Sequence, residues 1–217
     1  MNRKHAITLG AAAVAALVAA GCSTGPSPTE VDQQAQRVIN SAFKAQGIAK
    51  LDRLVQDPAN DACSDALGEP LAEAQAKAIQ AAALKTVPVP TGGAYLGDWK
   101  EGEKIAQSGR GMTWRDKAGS VNGGNCYNCH QISKQEISFG TIGPSLYQYG
   151  KLRGVSDPTN AASRTVVEYT WGKLWNPRAT NACSQMPRFG HKAILDETQM
   201  RHLMALLLDP KSPVNAQ

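Results

Sequence analysis

Asn125-Cys126-Tyr127-Asn128-Cys129-His130 constrains this chain more than any other stretch. Two thiols three residues apart, with an imidazole beside the second, is the spacing that attaches a c-type haem. On one turn of helix the thiols can form thioethers with the two vinyl groups of the porphyrin, and the adjacent His130 turns its imidazole to the iron. Zinc would need two more ligands at matching spacing, and no second Cys pair exists. A dithiol redox motif would follow a strand in a βαβ alternation that the sequence lacks. Every other segment is therefore read by what it does for that iron.

The start of the chain bears on the compartment. Met1 to His5 is short and basic, and Ala6 to Ala20 is an unbroken run of apolar and small residues. This reads as a secretory signal over residues 1–21, too short for a membrane span. Leu17-Val18-Ala19-Ala20-Gly21-Cys22 resembles a lipoprotein signal, with Cys22 as the acylated residue that anchors the mature protein to a membrane. Ala19 stands where such signals more often carry Leu, and ordinary cleavage after Ala20 is the alternative. Residues 22–30, rich in Ser, Thr, Gly and Pro, read as a flexible tether. A periplasmic location agrees with covalent haem, which is attached outside the bacterial inner membrane.

The 217 residues carry a formal net charge of +5, part of which, Arg3 and Lys4, would leave with the signal. So small a balance does not imply a nucleic-acid partner. From Lys100 onward basic residues outnumber acidic ones, which gives a mildly basic surface that can steer an acidic partner as readily as it can simply be solvated. The length suits one domain with an appended element.

The periodicity is helical and points to an all-α fold. Glu30 to Gln56 repeats apolar residues near helical spacing with a break at Gly47, and Leu67 to Leu84 reads as a second helix. Together these make a helical extension, 31–90, that either wraps the haem domain or binds a partner. Pro88 to Gly93 reads as a linker. The haem domain would cover 97–210, with Asp98 capping a helix from Trp99 to Ala106, then helices over Asn160 to Trp175 and Asp196 to Leu208. On the last of these, Met200, Leu203, Met204, Leu207 and Leu208 form the apolar side.

The candidates for a sixth iron ligand are Met112, Met186, Met200, Met204, His191 and His202. Met200, Met204 and His202 fall on the last helix, where methionines are more readily core. Met186 stands in the irregular segment Gln185 to Gly190, and Pro187 stiffens its approach by excluding helix there. It is the preferred ligand, with His191 the main competitor. Thr141-Ile142-Gly143-Pro144-Ser145-Leu146 follows the attachment motif at the distance where a Gly-Pro carbonyl can accept the proton of the free nitrogen of His130, fixing its tautomer.

Taken together, Gly124 to His130, Ile142 to Leu146, Trp171 to Pro177 and Cys183 to Gly190 resemble the SoxX family, small monohaem subunits of SoxAX complexes. The resemblance covers about Gly97 to Pro210. It implies a class I cytochrome c domain with an N-terminal helical extension and one covalently bound haem c. Cys126 and Cys129 would be the attachments, with His130 and Met186 on the iron. It further implies a heterodimer with a SoxA-like haem subunit, which joins thiosulfate to a cysteine of a SoxY-type carrier and releases two electrons. This chain would pass them to a soluble cytochrome c. It would thus be the non-catalytic subunit of an L-cysteine S-thiosulfotransferase-type complex. A free-standing lipid-anchored electron carrier is the alternative.

Cysteine arithmetic leaves Cys63 and Cys183 once haem and Cys22 are accounted for. In an exported protein two such thiols are more often a disulfide than a pair of buried free cysteines.

Overall fold

A computed structural model describes residues 25–66 and 68–216. The signal segment and Cys22 lie outside the described residues, as does Leu67, where the sequence suggests the start of a helix. Among the described residues there are six α-helices and no β-strand, so the chain is all-α. No helix there is long and apolar enough to cross a membrane.

The chain divides into two units, Met1–Ala45 and Gln46–Gln217. In the first, α1 spans Pro28–Ala42. Its start is a capping box in which Ser27 Oγ accepts from the Glu30 amide and Glu30 Oε2 accepts from the Ser27 amide at 2.8 Å. None of its residues is buried, and its apolar residues Val31 and Val38 are exposed. The helical periodicity read to Gln56 ends at Ala42. Beyond it, Gln46 and Ala49 exchange backbone hydrogen bonds around Gly47, and Leu51–Leu54 is a single 3-10 turn.

The second unit holds α2 (Pro58–Asp65), α3 (Glu73–Leu84), α4 (Trp99–Gln107), α5 (Arg164–Trp175) and α6 (Glu197–Leu208). Helix α2 was not expected. Asp57 accepts from the Asn60 amide at 3.0 Å and Pro58 occupies the first turn, a local start signal stronger than the weak apolar periodicity around it. The expected helix over Leu67 to Leu84 begins only at Glu73, after Pro70, because proline disfavours helix in the residue before it.

Helix α4 starts where expected, with Asp98 Oδ1 accepting from the Lys100 amide at 2.8 Å. It crosses α6 at Gly102, where a Cβ would fall 2.2 Å from the His202 carbonyl oxygen, so the two backbones meet without a side chain between them. Helix α6 opens with a second capping box, Asp196 with Gln199. Its Met200, Leu203, Met204, Leu207 and Leu208 are all buried, and they form one core with Trp171, Ile132 and Val214. Deleting one such side chain to Ala costs about 2 to 5 kcal/mol.

The segment Pro88 to Gly93, though mostly exposed, is tied down at Pro88, Pro90 and Thr91 and is not a free linker. Pro90 is fully buried, the Pro88 carbonyl accepts from Trp171 Nε1 at 2.8 Å, and the Thr91 amide donates to Glu197 at 3.0 Å. Proline lacks an amide proton to satisfy, so it enters an apolar interior cheaply.

Candidate functional site

The Cys126 to His130 motif sits on a 3-10 turn, Cys126–Asn128, and not on an α-helix. Asn125 enters in the left-handed region (φ 51°). The Cys126 carbonyl then accepts from both the Cys129 amide at 3.1 Å and the His130 amide at 2.9 Å. This closes one tight turn that puts both free thiols and the imidazole on neighbouring positions.

The Gly-rich loop from Arg110 to Asn125 delivers the chain to this turn by pairing with the end of α4. The Gly124 amide donates to the Ile105 carbonyl at 2.8 Å, and the Asn125 amide to the Ser108 carbonyl at 2.9 Å. The Asn122 side chain donates to the Ile194 carbonyl ahead of α6, Gln199 of α6 donates to the Asn122 carbonyl, and Tyr127, buried in the core, donates to Glu103 of α4 at 2.9 Å. Burial, followed by the Glu103 contact, pushes the Tyr127 phenol up, so it stays neutral. Burial of the sulfur, with Cys129 adding to it, pushes the Cys126 thiol up to about 12.

The chain after the motif folds back onto it. The Gly140, Gly143 and Leu146 amides donate to the Tyr127, Cys129 and Gln131 carbonyls at 2.8, 2.8 and 2.7 Å. This lays residues 140–146 along the turn and brings the Pro144 carbonyl to 2.7 Å from His130 Nδ1. A carbonyl only accepts, so the proton lies on Nδ1 and the Nε2 lone pair is left for another partner. Gly143 is required by space: a Cβ there would fall 2.1 Å from His130 Cε1.

Met186 lies in a loop between the end of α5 and α6, partly buried against the same core that Cys126 and Leu146 touch. Its amide donates to Ser184 Oγ at 3.3 Å, and buried Phe189 anchors the loop's far side. Gly190 lets Trp175 pack against the loop backbone. Cys183 is joined to Cys63 by a disulfide, S–S 2.08 Å. The competing candidates are placed otherwise. Met200 and Met204 are core, and His202 Nδ1 accepts from the Asp98 amide at 2.8 Å. Met112 is partly exposed, with its carbonyl taken by Arg53. His191 is exposed, and partial desolvation with the charges of Arg188 and Lys192 lowers its pKa.

Asp57 was missed at the sequence level. Its carboxylate receives Arg188 at 2.6 Å, Arg178 at 3.3 Å and Lys192 at 3.5 Å. Its burial opposes ionisation, but the Asn60 amide, Arg188 and Arg178 more than offset this and hold the carboxyl well below the usual carboxylate range. The Asp57-Pro58 cap was the available signal, but a cap says nothing about distant partners.

No family model matches the chain. An uncharacterized lipoprotein of Aquifex aeolicus (strain VF5) is 35% identical over 131 residues, which cover 60% of this chain and 58% of that protein. The aligned segment thus spans less than two thirds of that relative's length.

Proposed function

We propose that this chain is an exported monohaem cytochrome of the SoxX type, which carries electrons and transforms no substrate itself. The 2.7 Å contact between His130 Nδ1 and the Pro144 carbonyl carries this reading. It holds one tautomer, makes the imidazole a better donor and keeps Nε2 free for a metal.

The residues present fit a covalently held haem. Cys126 and Cys129 are free thiols on one turn, and Gly143 forms a cradle that any side chain would fill. Ile137 and Ile142, in the segment that follows the motif, are 97% and 81% exposed, apolar surface that a flat apolar group can cover.

Bound there, the haem would supply one-electron exchange between ferrous and ferric iron. The chain's own residues divide the remaining work. Cys126 and Cys129 would hold the group, His130 and Met186 would donate to its iron, and Pro144 with Gly143 orients the imidazole. With His130 and Met186 both serving as donors to the iron, none of its positions would be left for substrate, which suits a carrier and not a catalyst.

In a SoxAX-type heterodimer the chain would receive the electrons released when a SoxA-like haem subunit joins thiosulfate to a SoxY-type carrier. It would then pass them to a soluble cytochrome c. The lipoprotein name of the Aquifex relative supports acylation of Cys22 and an envelope location.

The test is expression of the full chain with a c-haem maturation system. One haem should remain with the polypeptide through acid–acetone extraction and add its mass, and Cys126→Ser with Cys129→Ser should abolish this. Matured protein without added mass would end the reading. Co-purification from the native host separates the subunit, which brings a second haem protein, from a free-standing carrier, which stays monomeric.

A further inference from the structure

One short helix grips the Met186 loop from both sides. Three residues before Met186, Cys183 is bonded to Cys63 on α2. Two residues after it, Arg188 Nη2 lies 2.6 Å from Oδ2 of Asp57, the residue that caps the same helix. Asp57 Oδ1 takes the Asn60 amide at 3.0 Å and Arg178 at 3.3 Å, and Arg178 also donates to Asn60. Met186 is therefore never more than three residues from an anchor on α2, and Pro187 stiffens the short span to Arg188.

The charge pattern argues for placement over mere stability. The Arg178, Arg188 and Asp57 side chains are only 9%, 14% and 27% exposed, and with Lys192 three cations meet one carboxylate. A largely desolvated cluster with excess charge gives a poor return in folding energy against a neutral, packed replacement. What it does deliver is geometry: two oxygens, one amide and two guanidinium groups fit together in few ways.

We propose that Asp57 is a positioning residue for Met186, acting through Arg188 to hold the loop so that the thioether is presented as the sixth donor, with the Cys63–Cys183 bond fixing the loop's other end. This rests on the reading of Met186 as the distal ligand given above. A thioether is a neutral and weak donor, so its occupancy depends on how firmly the chain keeps it in place. Loosening one end of the loop should detach it more often while the fold stays intact.

The measurement is the rate at which cyanide enters the ferric, haem-loaded full chain, which reads detachment of the sixth ligand, together with the weak far-red absorption of iron–sulfur ligation. Asp57→Asn keeps a capping side chain and removes the charge. It should raise the cyanide rate about tenfold, on the scale of coupling between contacting groups, and weaken the far-red absorption. Asp57→Glu should recover both readouts, and hydrogen exchange should accelerate in residues 184–192 but not in α6. If Asp57→Asn fails to fold, Arg188→Gln removes the same contact and leaves the cap intact. Met186→Ala is the reference. If it admits cyanide no faster than the natural chain, the ligand assignment itself fails. If Met186→Ala opens the site but Asp57→Asn and Arg188→Gln both behave as the natural chain, the positioning role is overturned.

Discussion

The Pro144 carbonyl oxygen lies 2.7 Å from His130 Nδ1, and the glycine before that proline is pressed against the same imidazole. Backbone hydrogen bonds from Gly140, Gly143 and Leu146 to the Tyr127, Cys129 and Gln131 carbonyls set this spacing. Orientation of the histidine is thus built by main chain, which leaves few ways for a substitution to be absorbed.

Gly143→Ala should be damaging for that reason. A Cβ 2.1 Å from Cε1 must displace either the loop or the imidazole. The cost should be about 1 to 3 kcal/mol, the range for overpacking a tight site. Thermal unfolding of haem-loaded protein would read it, with a changed ferric spectrum showing that His130 moved. An unchanged melting temperature and spectrum would mean that the loop gives way freely.

If Met186 is the proposed thioether donor, Met186→His should keep the haem and lower its reduction potential, because a thioether favours ferrous iron more than an imidazole does. Met186→Ala should let the reduced protein bind carbon monoxide. A carbon monoxide complex formed by the natural protein would show instead that the sixth position is already labile.

The disulfide closes a loop with a sequence separation of 120. In the chain-entropy account, a loop of that size contributes about 4 to 5 kcal/mol, an upper figure given native strain. Cys63→Ala with Cys183→Ala should lower the denaturation midpoint accordingly. In the natural chain, denatured without reductant, neither cysteine should take up an alkylating reagent.

Acid should weaken the Asp57 cluster in a defined direction. The folded-state carboxyl sits below its unfolded value of about 3.9. Its stabilisation is therefore fully present above that value and is lost as pH falls towards the folded value. Near neutral pH, Asp57→Asn should cost about 1 to 3 kcal/mol, reduced from the fully buried case by its partial exposure. Urea unfolding of the two proteins should converge steadily below about pH 4. A gap that persists into strong acid would assign the effect to packing.

Short-range chemistry was legible in the sequence alone. The spacing of Cys126, Cys129 and His130, the cap at Asp98, the apolar side of α6 and the pairing of Cys63 with Cys183 rest on neighbours, periodicity or simple arithmetic. Only the tertiary structure decided the rest. The Cys126 to His130 motif closed as a 3-10 turn because Asn125 turns left-handed and the Cys126 carbonyl takes two amides. Pro88 to Gly93 is tied down because Pro90 is buried and the Pro88 carbonyl takes the indole proton of Trp171. Asp57 met Arg178 and Arg188 because folding brings α2 against a loop more than a hundred positions away. A charged residue carries no mark in sequence of which distant partner it will find, since ion pairing is decided by burial and approach, and these exist only once the chain has folded.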